Sequence, residues 1–335
     1  MSNLQNNFFA AIEIELQRQI SRLDTPPDHP FHEILTYHMG WTGEGAGLSA
    51  QGKRLRPILL LLTCSACGCG WQKALPAAAS VELIHNFSLI HDDIQDNSDK
   101  RRGRDTVWAK WGMPMGINAG DALFVIANLA LLDLAPAYQP DVVLLASELL
   151  QTTCLNLTNG QFLDMSYENR SNISMGDYWT MVTGKTAGLI SACCTIGSLL
   201  GGGDEISREA YHNFGHYLGL AFQVQDDYLG IWGDSALTGK SSESDLISRK
   251  KSLPVLFGLE KKAAFAKRWL EGPISPADVV ELSSQLEMEG ARLFTQNTAD
   301  QMIEMALQYL RSANPQGDAG DELFDLTKRL VGRQG

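Results

Sequence analysis

Closely spaced aspartates at two places in the chain are the residues best suited to chemistry. Asp92, Asp93 and Asp96 end one apolar helical run, and Asp226 and Asp227 are delivered by a second. Residues four apart lie above one another on a helix, so Asp92 and Asp96 share a face and Asp93 flanks them. Like charges at this spacing destabilise a helix, so we expect a cation in front of them. Oxygen ligands on one face suit Mg²⁺, which shares its shell with waters and substrate phosphates.

Basic residues near the first aspartates point to an anionic substrate. Arg101 and Arg102 carry planar guanidiniums that suit bidentate contacts with phosphate. Lys53 and Arg56 follow Gly52 where a predicted helix begins, and the free N–H groups of a helix start also favour an anion. Taken alone, that basic cluster is equally consistent with a solvated turn. Carboxylates for a metal next to guanidiniums for phosphate predict a diphosphate site.

The alternative for a single aspartate cluster is a solvated, charged turn of a surface helix. Short matches of this kind arise by chance, and one copy would favour that interpretation. The second cluster, at Asp226 and Asp227, argues against it. Carboxylates on two helices that face one another can hold metal ions between them, as helix bundles do.

The composition excludes some classes of protein. A formal net charge of −12 leaves no broad basic surface for nucleic acid. The N-terminus lacks the pattern of a secretory signal, and the apolar run from Pro57 to Cys69 is too short to span a bilayer. We therefore expect a cytoplasmic protein, with its cysteines as free thiols in a reducing compartment.

Helical periodicity dominates the chain. Phe8, Ile12, Leu16 and Ile20 recur every four residues, and glycine and proline break one predicted helix from the next. No alternation typical of strands is long enough to predict a sheet. The pattern predicts one all-helical domain over residues 1–335. The polar, glycine-punctuated segment Gly233–Lys251 is predicted to be a mobile lid.

A series of motifs, taken in order, resembles the trans-prenyltransferases, the isoprenyl diphosphate synthase or polyprenyl synthetase family. They are GKRLRP from Gly52, LIHxxSLIHDDxxDxxxxRRG from Leu83, GQxxD from Gly160, KTA from Lys185, FQxQDD from Phe222, and GK…SDL…KKSLP ending at Pro254. The resemblance implies an all-α fold of the isoprenoid synthase type, a helical bundle around a central apolar cavity. It also implies a homodimer that uses Mg²⁺ to condense isopentenyl diphosphate with an allylic diphosphate.

The resemblance also implies roles for individual residues. Mg²⁺ would be bound by Asp92, Asp96 and Asp226, with Asp93 and Asp227 as supporting carboxylates, and these five with Arg101 and Lys185 form the expected catalytic set. The allylic diphosphate would be held by Arg101, Lys185, Thr186, Gln223, Lys240 and Lys250. Isopentenyl diphosphate would be held by Lys53, Arg56, His85 and Arg102, with Gly52 letting the backbone approach.

The chain departs from the family pattern at two positions. Gly230 stands where many members carry a third aspartate in the second cluster, which predicts a looser metal site there. Glu243 stands where a glycine is common, and this puts the geometry of the lysines around it in question.

The resemblance also implies that the residues four and five before the first aspartate, Ser88 and Phe87, set the product length. Ser88 is small and leaves the path of a growing chain open, whereas Phe87 narrows it partly. This favours a C20 product, geranylgeranyl diphosphate, with a C15 farnesyl or a longer product as alternatives. Phe87 as ordinary core packing is also open.

Two further functions stay open on the same scaffold. A terpene cyclase needs one diphosphate pocket, and the second basic set at Lys53, Arg56 and Arg102 argues against it. A non-catalytic partner subunit would be expected to lose its metal ligands, and this chain keeps the aspartates of both motifs except at Gly230. A transient membrane contact for a lipid product is left open.

Overall fold

Helices form nearly all of the structure. It is a computed structural model that describes residues 2–23, 29–168, 170, 172–233 and 244–331. The structure is 79% helical, which confirms the all-α fold class. The α-helices are α1 (Asn3–Ile20), α2 (Pro30–His38), α3 (Leu48–Gln51), α4 (Leu55–Ala66), α5 (Leu75–Gln95), α6 (Val107–Trp111), α7 (Met113–Leu132), α8 (Pro140–Glu168), α9 (Met175–Val182), α10 (Gly188–Leu200), α11 (Glu205–Trp232), α12 (Ser244–Ile247), α13 (Leu253–Lys261), α14 (Ala264–Leu270), α15 (Val279–Met288), α16 (Ala291–Ser312) and α17 (Gly317–Val331).

Shorter elements complete the chain. Short 3₁₀ turns lie at Ser21–Leu23, Trp71–Ala74 and Pro276–Asp278, and a π-helical turn lies at Thr183–Ala187. In the described part of the chain, β1 (Lys100–Arg101) and β2 (Arg104–Asp105) form one small antiparallel hairpin. Each strand has only two residues, too few to show the alternation that predicts a strand from sequence.

The chain divides into two compact units. Unit 1 comprises Met1–Gln151, Cys193–Arg208 and Pro315–Glu322. Unit 2 comprises Thr152–Ala192, Glu209–Asn314 and Leu323–Gly335. A single domain over the whole chain stays a prediction.

In unit 1, α5 is the helix around which the others pack. It begins at Leu75-Pro76, and proline is favoured at a helix start because its missing N–H would have no partner there. Val81 and Ile84 are fully buried, and the helix packs mainly on α7 and also on α4 and α1. The carboxyl end of α5 carries the first aspartates, so this packing fixes their position.

The apolar run at residues 118–132 predicts a buried helix, but α7 is buried on one face only. Leu123 and Ala127 are inaccessible to solvent, whereas Ile117, Val125, Leu129 and Leu132 are 39–57% exposed. Both faces of this helix are apolar, so its composition suggests complete burial although one face is exposed. Among the described helices, α7 is the one long and apolar enough to span a membrane. Of its apolar 18-residue window, 44% is buried inside the protein.

In unit 2, a hydrophobic core surrounds the second half of the predicted site. Its buried members include Tyr178, Val182, Leu220, Val224 and Leu253, which come from α9, α11 and α13. After the second aspartates, five helices follow from Leu253 to Val331. The sequence pattern predicts four, and it misses the break at Lys262, which adopts a left-handed conformation (φ 54°).

Candidate active site

The first aspartate cluster lies where α5 ends. The Asp96 backbone N–H donates to the Asp92 carbonyl (2.8 Å), so the helical turn continues through both residues. Asp93 is 2% exposed, Asp92 is half-buried and Asp96 is exposed. Arg101 on β1 supplies the expected cation: its Nε donates to Asp93 Oδ1 (2.8 Å) and its Nη2 to Asp92 Oδ2 (3.3 Å). Arg101 was predicted to bind a phosphate. In this structure it instead donates hydrogen bonds to the neighbouring aspartates.

Asp93 has an environment that favours its protonated form. Burial raises its pKa to about 6, against the opposing effect of the Arg101 guanidinium. Its Oδ2 atom is buried and has no hydrogen-bond partner among the described residues. A buried oxygen without a hydrogen-bond partner can accept a bond from a ligand or bind a cation.

The β1–β2 hairpin positions Arg101 and Arg102. Its turn uses Arg102 (φ 53°) and Gly103 (φ 75°) in left-handed conformations. Arg104 anchors the hairpin, because its guanidinium donates to the carbonyls of Tyr37, Thr42 and Glu44 and lies 3.9 Å from the centre of the Tyr37 ring. No sequence pattern points to this role of Arg104, since all its partners lie far away along the chain.

The predicted isopentenyl diphosphate residues form two pairs. Arg102 packs against Gly52, where an added Cβ would lie 2.7 Å from Arg102 Nη2. Gly52 also has φ 80°, so glycine is required here both for the backbone and for the close approach of Arg102. Arg56 Nη1 lies 3.2 Å from His85 Nε2, as expected if the histidine accepts. Lys53 is exposed beside them.

The half-buried Arg56–His85 pair carries one positive charge, on the Arg56 guanidinium. Burial lowers the pKa of His85, and the nearby arginines add to that shift, so the imidazole is neutral and Nε2 can accept from Arg56. Burial lowers the pKa of Arg56 as well. Its Nε has no hydrogen-bond partner among the residues described. A half-buried guanidinium with an unused donor is suited to bind an anion.

Arg54, which sequence reasoning passed over, holds this basic segment in place. It is the left-handed residue (φ 47°) just before α4, and its side chain is completely buried. Its Nε donates to Glu13 Oε1 (2.6 Å) and its Nη1 to Glu82 Oε1 (2.8 Å). Glu13 lies on α1 and Glu82 on α5, so Arg54 ties the GKRLRP segment to two core helices.

In unit 2, Asp227 is buried and Asp226 is exposed. Asp227 accepts hydrogen bonds from the Tyr178 hydroxyl (2.7 Å), Gln223 Nε2 (2.9 Å) and the Leu253 N–H (2.9 Å). Burial raises the pKa of Asp227 to about 6, although most of these contacts act in the opposite direction. Asp227 therefore organises the cluster, and Asp226 presents its carboxylate to solvent. The sequence gives no signal for Tyr178.

Two predicted diphosphate residues of unit 2 bond to each other. The Thr186 hydroxyl donates to Gln223 Oε1 (2.8 Å), and Gln223 in turn donates to Asp227. This chain connects the KTA segment to the second aspartate cluster.

Lys185 lies in the π-helical turn Thr183–Ala187, between α9 and α10. Such turns are often found at functional sites because they redirect side chains. Lys185 Nζ contacts Asp164 Oδ2 (2.5 Å). A Cβ added to Gly160 would lie 2.3 Å from the Lys185 backbone nitrogen, so the GQxxD glycine permits a close contact of α8 with this turn. From its sequence, Lys185 would equally fit a residue that caps a helix end. No helix ends there in the structure, because α10 follows the turn directly from Gly188.

Lys250 lies among the carboxylates of unit 2. Burial acts to lower the pKa of its ammonium, but the charges of Asp227, Asp245, Asp164 and Asp226 outweigh that effect and raise it. Lys240 and Glu243 lie outside the described residues, as does most of the predicted lid.

Phe87 and Ser88 are half-buried on α5. The Phe87 ring lies 5.2 Å from the Phe124 ring of α7 and 5.1 Å from the His91 ring. Ser88 donates its hydroxyl to the His85 carbonyl (2.8 Å). The role of these residues in product length stays a prediction.

A family model described as polyprenyl synthetase matches residues 46–283 of the chain. The chain belongs to the polyprenyl synthetase family. It is 38% identical to a geranylgeranyl diphosphate synthase of Mycobacterium tuberculosis, over 91% of this chain and 87% of that protein. It is 35% identical to a (2E,6E)-farnesyl diphosphate synthase of Mycobacterium bovis, over 95% and 89%. The structure of a polyprenyl synthetase from Streptomyces coelicolor A3(2) superposes with a TM-score of 0.87 at 33% identity, covering 98% of each chain.

Membership of this family confirms the predicted enzyme class. The chain is a prenyltransferase with the isoprenoid synthase fold. Its relatives carry different product names, so the family alone does not fix the product.

Within each unit, the carboxylates expected to bind a metal have the chemistry that a hydrated Mg²⁺ prefers. Among the described residues, no three His, Cys, Asp or Glu side chains converge closely enough to hold a metal by themselves. Mg²⁺ is commonly bound by one or two carboxylates, with waters and substrate phosphates completing the shell. Asp92, Asp96 and Asp226 present carboxylates that are at least partly accessible, and all their ligand atoms are oxygens, as Mg²⁺ prefers.

Proposed function

We propose that this enzyme condenses isopentenyl diphosphate with an allylic diphosphate head to tail, using Mg²⁺, and releases an all-trans prenyl diphosphate. One observation carries the proposal. Unit 1 has a half-buried pair, the Arg56 guanidinium and the neutral His85, whose positive charge is not neutralised by the aspartates, whereas Arg101 is bonded to them. A reaction between two diphosphates requires two cationic sites, and Arg101 and the Arg56–His85 pair supply one each. A cyclase needs only the first.

The reaction starts when the allylic C–O bond breaks and the diphosphate leaves with the electron pair. Mg²⁺, when bound by Asp92, Asp96 and Asp226, supplies charge stabilisation for that leaving group. Arg101, Lys185 and Lys250 hold the departing diphosphate, because fixed cations stabilise charge as it develops. Apolar side chains leading away from Asp92 exclude the water that would trap the carbocation.

The carbon–carbon bond then forms between the allylic cation and the double bond of isopentenyl diphosphate. Arg56, Arg102 and Lys53 orient that second substrate by its diphosphate. A proton leaves the adjacent carbon and restores a double bond. The released diphosphate is the proposed acceptor for this proton, since no side chain stands out as a base.

For the product we favour C20, with C15 as the alternative and longer chains as a further one. Support comes from one aromatic residue, Phe87, beside the small Ser88 on the helix that delivers the aspartates. The packing of Phe87 against Phe124 holds its ring on the α7 side.

A homodimer in the cytoplasm is the proposed form of the enzyme. An exposed apolar stripe runs along α7, at spacings of eight, four and three residues that keep one helix face: Ile117, Val125, Leu129 and Leu132. An apolar stripe of this kind marks an interaction surface, and a second copy is the proposed occupant. We also propose a transient membrane contact through which the lipid product leaves.

The proposal is tested by incubating the purified protein with Mg²⁺, isopentenyl diphosphate and dimethylallyl, geranyl or farnesyl diphosphate. Products are dephosphorylated and separated by chromatography with mass detection. We expect chain elongation that requires both diphosphates and that stops when a chelator is added. Hydrocarbons made from the allylic primer alone would instead identify a cyclase. Inactivity that only a second chain relieves would identify a partner subunit.

A further inference from the structure

The end of α2 is tied to the hairpin that carries Arg101. The Tyr37 hydroxyl donates to the Asp105 carbonyl (3.0 Å), and Arg104 Nη1 donates to the Tyr37 carbonyl (2.8 Å). His38 is the next residue along the chain and the last residue of α2. The two hydrogen bonds at Tyr37 therefore hold His38 close to the hairpin and to the end of α5.

A small cavity lies between the end of α2, the end of α5 and the hairpin. Its volume is about 20 Å³, and His38 and Asp93 both contribute to its wall. A cavity needs roughly 10–15 Å³ to hold a water, and the water needs two to four polar partners. The cavity therefore has the size for an ordered water, provided that its wall offers such partners.

Most polar side chains in the wall of this cavity already have a partner within the protein. The Arg102 Nη1 atom donates to the Ala50 carbonyl (2.7 Å), and the Thr106 hydroxyl donates to the Ser98 carbonyl (2.9 Å). The wall residues with partners of this kind are Tyr37, Arg101, Arg102, Arg104, Asp105 and Thr106.

Two buried atoms in the wall differ from these residues. His38 Nε2 and Asp93 Oδ2 are both buried, and neither has a hydrogen-bond partner among the described residues. Burial lowers the pKa of His38 to about 3, so its imidazole is neutral. One water can serve both atoms, because it gives one O–H to the carboxylate and still has an O–H or a lone pair for either tautomer of the imidazole. An anion would instead be repelled by the Asp93 carboxylate.

We propose that His38 is a positioning residue, which fixes Asp93 through one ordered water in this cavity and thereby fixes Arg101. This inference rests on the proposed function, in which Arg101 holds the allylic diphosphate. Arg101 Nε is bonded to Asp93 Oδ1 (2.8 Å), and the water holds Oδ2. With both oxygens held, the carboxylate cannot rotate and take the guanidinium with it. His38 acts through Asp93 and not on the substrate.

The first test is a crystal structure of the ligand-free, full-length protein and of two variants. The wild type should show one water within about 3.2 Å of both His38 Nε2 and Asp93 Oδ2. Asparagine does not reach the position of Nε2, so His38→Asn should lose this bridge and shift the Asp93 side chain. Glutamine places a polar atom there, so His38→Gln should keep the bridge. A wild-type cavity with an anion, or with no water between the two atoms, would contradict the inference.

The second test is steady-state kinetics with each substrate varied in turn. His38→Asn should raise KM for the allylic diphosphate about tenfold, the lower end of the usual ~10–100-fold loss for residues that support a site from outside. KM for isopentenyl diphosphate should stay within about twofold, and His38→Gln should restore most of the loss. His32→Asn is the matched control. It removes a half-buried histidine of the same helix that does not line the cavity, and it should change neither KM. A purely structural role for His38 would move both KM values alike.

The two tests separate this inference from the proposed function. If the wild type elongates no primer while His38→Asn loses the bridge and shifts Asp93, the proposed function fails and His38 still positions Asp93. If elongation proceeds and His38→Asn changes neither the Asp93–Arg101 contact nor the KM for the allylic diphosphate, the inference fails and the proposed function stands.

Discussion

Removing the Arg54 guanidinium should strongly destabilise unit 1. The side chain is completely buried and donates to Glu13, to Glu82 and, through Nη2, to the Met39 carbonyl (3.2 Å). Burial acts to lower the pKa of Arg54, but the two carboxylates outweigh it and raise the pKa, so the residue is charged. Arg54→Met keeps most of the side-chain volume and removes the charge. It leaves two carboxylates near each other without their shared partner.

The magnitude follows from how buried each partner is. Removing one member of a buried ion pair costs about 3–5 kcal/mol, because an uncompensated charge stays behind. Glu82 is 3% exposed and Glu13 is 13% exposed, so water can relieve part of the charge on Glu13. Glu13 also keeps the Trp41 Nε1 donor (2.6 Å), and Glu82 keeps the Asn86 amide (3.0 Å). We therefore expect Arg54→Met to cost about 3–4 kcal/mol, not twice the value of a single pair.

The assay is urea unfolding followed by circular dichroism at pH 7.5. Glu82→Gln should cost less than Arg54→Met, and the double variant should cost clearly less than the sum of the two, by at least ~1 kcal/mol, because both members of the pair are then gone. Arg311→Met is the matched control. Its partner Glu304 lies 3.2 Å away, but the two side chains are 58% and 69% exposed, so little change is expected.

The same substitution should affect one substrate more than the other. Arg54 lies between Lys53 and Arg56, and its left-handed backbone sets where α4 begins. Its loss should raise KM for isopentenyl diphosphate several-fold and leave KM for the allylic diphosphate nearly unchanged. The reasoning would be refuted if Arg54→Met lowered the free energy of unfolding by less than ~1 kcal/mol. It would also be refuted if the KM values for both substrates shifted alike.

Further predictions concern metal, product and pH. Asp92→Ala should lower kcat at least ~100-fold with an unchanged melting temperature, since one charge-stabilising group is typically worth ~3–4 kcal/mol in the transition state. In chain-length analysis, Ser88→Phe should shorten the product and Phe87→Ala should lengthen it. If neither variant changes the product length, α5 does not determine it. Burial lowers the pKa of His38 from 6.5 to about 3, with nearby arginines adding to the shift. The unfolded chain thus gains this proton first as pH falls, so His38 alone should lower the unfolding free energy by about 2 kcal/mol between pH 7 and pH 5. In urea titrations His38→Asn should reduce the loss of stability over that range by about this amount.

The fold class and most of the candidate residues could be predicted from local patterns. Helical periodicity is visible within one turn or two, and motif spacing links Asp92 to Asp96 because both lie on the same helix face. The pairs that position the site could not be predicted in this way. Arg54 meets Glu13 and Glu82 across 41 and 28 residues, and no pattern within one helix encodes such a contact. The exposed face of α7 was missed for a related reason, because apolar composition does not tell which face meets a partner.

The glycines of the motifs show how a local pattern and a distant contact combine. A missing side chain is visible in the sequence, but the group that enters the space is not. At Gly160 the neighbour is the Lys185 backbone, which cannot turn away, so this glycine belongs to the packing of α8 on the π-helical turn. At Gly52 and Gly230 the neighbours are ends of charged side chains, Arg102 and Asp245. Such ends can rotate, and a larger residue at either position would first displace a charge and only then strain the fold. These two glycines therefore determine where the Arg102 guanidinium and the Asp245 carboxylate can lie.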